Sequence, residues 1–83
     1  VNNSLTQLQS ARKRIDNDHR QIDILKEAVR KTELLMRHSP NATYLEVLTA
    51  QQSLLDAENT LAQDRFDEIQ GIIHLYHALG GGL

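Results

Sequence analysis

Apolar residues in this chain recur at alternating spacings of three and four along almost its whole length, and a single Ser39-Pro40-Asn41 stretch interrupts them. A repeat of that kind held over four or more heptads belongs to helices packed along a lengthwise seam. Before the interruption the repeat runs Leu8, Ala11, Ile15, Ile22, Leu25, Val29 and Met36, with Asp18 and Thr32 at the intervening positions. After it come Leu45, Leu48, Leu55, Ala62, Phe66, Ile69, Ile73 and Tyr76, with Gln52 and Asn59 as polar members. The expected fold is therefore all-α, a long antiparallel helical hairpin of the coiled-coil type.

Local chemistry sets the expected boundaries: one helix over about residues 3–37, a tip at 38–42, a second helix over about 42–79 and a Gly-rich end at 80–83. Proline and the residue before it resist a continuous helix. Ser39 can cap the second helix with Pro40 in its first turn, while Thr43 and Glu46, three apart, offer an alternative capping box. Gly80-Gly81-Gly82 suits a helix end. Gly71 lies inside the second helix, where it costs about 1 kcal/mol and permits close contact or bending. Antiparallel pairing about the break places residue i roughly opposite residue 81 minus i, so that Leu8 faces Ile73, Ile15 faces Phe66, Leu25 approaches Leu55 and Met36 faces Leu45.

Further apolar residues lie off this seam: Leu54, Leu61, Ile72, Leu75 and Leu79 in the second segment, and Ile24, Ala28 and Leu35 in the first. One partner cannot cover both stripes of a helix, so additional helices are expected in a bundle, barrel or oligomer, and the chain alone is expected to self-associate. Charge reinforces the pairing. Residues 1–40 hold eight Lys or Arg against five acids, a balance of +3, and the remainder holds Arg65 against six acids, a balance of −5.

The chemistry of an enzyme is not legible here, and no cofactor is expected. With no Cys in the chain, neither disulfides nor thiolate metal sites are available. His74 and His77 are three apart on one helix, but two imidazoles without a third ligand make a weak metal site. Asp64, Asp67 and Glu68 read as a solvated face rather than a general acid/base set. Arg12-Lys13-Arg14 point about 100° apart on a helix, with Asp16 and Asp18 following, which argues against nucleic-acid binding. No apolar run approaches the ~20 residues of a membrane-spanning helix. The start at Val1, in an abrupt polar stretch, suggests a piece of a longer protein.

Two blocks of sequence carry a resemblance. Thr43-Tyr44-Leu45-Glu46-Val47-Leu48-Thr49-Ala50-Gln51-Gln52-Ser53-Leu54-Leu55-Asp56-Ala57-Glu58, together with Leu75-Tyr76-His77-Ala78-Leu79-Gly80-Gly81-Gly82, resembles the last periplasmic helical hairpin of the outer-membrane factor family, the TolC-like export ducts of Gram-negative bacteria. The likeness runs from about Ala28 to Gly82. It implies a homotrimer whose membrane β-barrel continues into a helical periplasmic tunnel, with hairpin tips docking onto a periplasmic adaptor that works with an inner-membrane pump. By that resemblance His38, Ser39, Pro40, Asn41, Ala42 and Thr43 form the docking tip, and Glu46 matches an acid near the constriction. Thr49 stands where the family's next acid is expected, and Ser39-Pro40-Asn41 replaces a turn that commonly holds Gly.

The expectation is thus a non-enzymatic transport component, the tunnel hairpin of an outer-membrane efflux duct, passively conducting what a pump delivers. Membrane contact would come through barrel segments outside this chain. The alternative is an unrelated antiparallel coiled-coil module for protein interaction or assembly.

Overall fold

A computed structural model describes residues 2–80, except for the side chains of residues 2 and 40–42. Helix α1 spans Asn2–His38 and helix α2 spans Pro40–Ala78. They pack antiparallel into a rod of 63 × 15 × 14 Å. The fold is the expected all-α hairpin.

The reversal occupies one residue. Ser39 takes φ −142° and ψ 69°, outside the helical region, as the residue before a proline prefers. Pro40 opens α2 in the first turn, where its missing N–H leaves no bond unmade. The Ser39 side chain makes no capping bond. Its carbonyl accepts instead, from the Thr43 backbone N–H at 3.2 Å and from Thr43 Oγ1 at 2.8 Å. Thr43 is therefore a residue inside the first turn, and the alternative Thr43–Glu46 capping box does not form. At the far end Gly80 adopts φ 79°, and its N–H bonds the His77 carbonyl at 3.0 Å, closing α2 as a glycine cap does. Gly81, Gly82 and Leu83 lie outside the described residues.

On α1 the covered face is the expected row. Leu8, Ala11, Asp18 and Ile22 are buried, while Ile15, Leu25, Val29, Thr32 and Met36 are half-buried. On α2 the covered face is a different one. Thr43, Val47, Asp64 and Gly71 are buried, and Ala50, Leu54, Ala57, Leu61, Glu68 and Leu75 are half-buried, again spaced by four and three. The row expected to form the seam points outward. Leu45 is 74% exposed, Phe66 and Ile69 are each 54%, Leu55 is 50%, and Leu48 and Ile73 are each 43%.

The correction has a steric and an electrostatic cause. Small residues on the covered row let the two backbones approach: a methyl group added at Gly71 would sit 3.3 Å from Leu8 Cα and 3.4 Å from Leu8 Cβ. The same rotation brings the acids of α2 onto the bases of α1. Arg12 Nε meets Glu68 Oε2 at 3.2 Å, and Arg14 meets Asp64 at 3.0 Å and Asp67 at 3.3 Å. These pairs keep the lengthwise register close to the expected one. What differs is rotation of α2 about its axis, by about 160° at about 100° per residue.

Candidate functional site

An apolar surface left open is the most prominent feature of this rod. A monomer of 9.4 kDa should expose about 5,000 Å² by the usual size scaling, whereas this chain exposes 6138 Å². Among the described residues only Leu8, Ala11, Ile22 and Val47 are buried apolar side chains. The open surface is organised. Leu45, Leu48, Leu55, Phe66, Ile69 and Ile73 share one stripe along α2, spaced by threes and fours or sums of them, so they lie along one side of the helix. On α1 Ile24, 61% exposed, and Leu35, 53% exposed, lie outside the seam as the sequence suggests.

Such a stripe has a direct physical reading. Contiguous exposed apolar surface on a helix marks contact with something else, because scattered single residues are ordinary but an aligned row is not. Both stripes of α2 are real, and α1 covers only the smaller-residue one. Of the second row expected on α2, Leu54, Leu61 and Leu75 belong to the covered face, while Ile72 and Leu79 are 46% and 70% exposed.

At the tip, His38 and Ser39 are exposed. Thr43 is not available: it is 8% exposed and its hydroxyl is committed to the Ser39 carbonyl. The side chains of Pro40, Asn41 and Ala42 lie outside the described residues. Glu46 is exposed, one turn beyond the bend and off the buried row that Thr43 and Val47 begin.

Sequence reasoning missed one further arrangement. Asp18 of α1, 9% exposed, and Asp64 of α2, 6% exposed, bring their carboxyl groups close enough to interact across the seam, and Asp18 Oδ2 is buried without a hydrogen-bond partner. Asp64 Oδ1 accepts from Arg14 Nε. Burial, then the hydrogen bond that a protonated Asp18 gives Asp64 and repulsion from it, push Asp18 up to about 6. The bond from Asp18 holds Asp64 below the ordinary carboxylate value. Asp18 is legible as a polar member of the α1 repeat, whereas Asp64, which reads as one of a solvated set with Asp67 and Glu68, is buried on the covered face of α2.

Among the described residues no three His, Cys, Asp or Glu gather as metal ligands, and no helix is long and apolar enough to cross a membrane. No family model matches the chain, and no solved structure matches it. Two curated relatives do. The chain is similar to the solvent efflux pump outer membrane protein SrpC and to the toluene efflux pump outer membrane protein TtgI, both of Pseudomonas putida. Each is 45% identical over 40 residues, which cover 48% of this chain and 8% of the relative. Over that stretch the chain is similar to outer membrane components of efflux pumps.

Proposed function

We propose that this hairpin is a wall element of an outer-membrane efflux duct, a structural rather than catalytic part. The outward apolar stripe on α2 is the observation that carries the reading. A hairpin that seals its narrow, small-residue face internally and keeps its bulky face open is built to be flanked by further helices. The two efflux relatives supply the kind of assembly, and the resemblance supplies the form: a homotrimeric periplasmic tunnel continuous with a membrane barrel. In this reading His38 and Ser39, with Pro40, Asn41 and Ala42, make the tip that docks to a periplasmic adaptor, and Glu46 lines the constriction. Substrates delivered by an inner-membrane pump pass through without chemistry.

The test uses the full-length protein in a host lacking its own duct. Phe66→Glu with Ile73→Glu should abolish assembly of the duct and the resistance it confers to toxic solvents, because each change places a charge in an interhelix contact. Full resistance in that variant would remove the wall reading. Replacing Ser39-Pro40-Asn41 should impair export with assembly intact, and unchanged export would remove the tip from docking. A gene without upstream barrel strands and a signal peptide would instead favour the alternative, an antiparallel coiled-coil assembly module.

A further inference from the structure

Near the middle of the seam Asp18, Asp64 and Asp67 gather around the guanidinium of Arg14. Asp18 and Asp64 face each other from opposite helices, and Asp67 reaches the same guanidinium. Arg14 thus serves Asp64 through Nε at 3.0 Å and Asp67 through Nη2 at 3.3 Å, with Asp18 left over. The groups facing Asp18 are Arg14 and His19 from its own helix and Asp64 from α2. Asp18 Oδ2 is buried and has no conventional hydrogen-bond donor. A buried carboxylate without a donor is costly, and two carboxylates in contact cannot both stay charged cheaply.

We propose that Asp18 and Asp64 form a proton-locked clasp between the two helices: one proton bound on Asp18 and donated to Asp64 ties the seam at mid-length, and its release loosens the seam there. Asp64 is the member that stays ionised, since it accepts from Arg14. Asp18 therefore keeps the proton. Asp18 also lines an open groove of about 210 Å³ with Gln21, Leu25, Ala57 and Thr60, so the proton exchanges with solvent without the hairpin opening. The clasp is a property of the hairpin itself and stands whether or not the hairpin belongs to a duct.

Linkage fixes the direction. Asp18 is raised to about 6 in the fold from an unfolded value near 4, so its contribution is complete below about pH 4 and disappears as pH rises through about 6. Asp64 is shifted downward, and its contribution is lost only on acidification below the ordinary carboxylate range. The seam is thus tightest in mild acid. Between pH 5 and pH 7.5 the unfolding equilibrium constant should rise about tenfold.

Carbon-13 NMR of the carboxyl groups in the chain, with thermal unfolding followed by circular dichroism, tests the clasp. Asp18 should titrate near pH 6, and Asp64→Asn should return it toward the ordinary carboxylate range. Asp18→Asn, which keeps an uncharged donor of the same shape, should abolish the tenfold change, while His19→Gln should retain it. An Asp18 titration near pH 4 in the unaltered chain would overturn the proposal, as would an Asp18→Asn variant with the full pH dependence. The titration needs no variant, so it decides the matter even if Asp18→Asn fails to fold.

Discussion

Which face of α2 is inside can be decided by comparing truncations on its outer row with truncation in the covered seam. Ile22 is 5% exposed, and Ile22→Ala should cost about 2 to 5 kcal/mol through lost transfer energy and the cavity left behind. Leu45, Phe66 and Ile73 are 74%, 54% and 43% exposed. Weighting about 1.5 to 3 kcal/mol for full burial of each side chain by those fractions leaves about 3 to 5 kcal/mol not yet realised within one hairpin. The triple change Leu45→Ala, Phe66→Ala and Ile73→Ala should therefore act chiefly on association. Guanidinium unfolding over a range of protein concentrations, paired with sedimentation equilibrium, separates the two effects. Ile22→Ala should lower stability at every concentration, whereas the triple variant should weaken self-association at least a hundredfold, taking only about 3 kcal/mol as lost on contact. If the triple variant destabilised the dilute, unassociated chain more than Ile22→Ala does, the assigned faces would be wrong.

The close approach at Gly71 should make Gly71→Val destabilising by more than about 1 kcal/mol, despite its gain in helix propensity, because the added atoms meet the Leu8 backbone; thermal unfolding would report it. Arg14→Ala should cost about 3 kcal/mol by leaving the buried Asp64 uncompensated, and Arg12→Ala, with Arg12 60% exposed, less than about 1 kcal/mol; denaturant titration of both variants checks the contrast. Thr43→Val should cost about 1 kcal/mol for the lost bond to the Ser39 carbonyl, measured the same way. Raising salt to about 1 M should weaken the Arg12–Glu68 pair and leave the Arg14–Asp64 pair largely intact, which a double-mutant cycle at each salt concentration would resolve.

Legibility of the structure in the sequence differed between the two helices. On α1 a single clean apolar row existed, and the row from Leu8 to Met36 is the one that packs. The lengthwise register was also readable, because it follows from where Ser39 and Pro40 bend the chain. The face of α2 was not readable from apolar content, since Leu45, Leu48, Phe66 and Ile69 outweigh Val47, Ala50, Ala57 and Gly71 in any hydrophobic count. Two signals pointed the other way. The row from Thr43 to Leu75 has the same four-three spacing as its rival but is richer in small residues, and the positive balance of α1 needs Asp64, Asp67 and Glu68 brought to it. Taking those together would also have placed Asp64 against Asp18, which apolar periodicity alone could not do.

Among the described residues the three ion pairs between helices involve residues 12–14 and 64–68, and the tight Gly71 contact involves Leu8. Nearer the bend, the described side chains offer the long Gln51–Glu33 hydrogen bond of 3.4 Å. Charged cross-links are thus concentrated between the open end and mid-length, whereas toward the bend the helices are held by buried Thr43 and Val47 and by the one-residue reversal itself. A sideways push on the tip would therefore move the joined turns together and reach the ion pairs as shear, the covalent bend permitting little sliding at its own end.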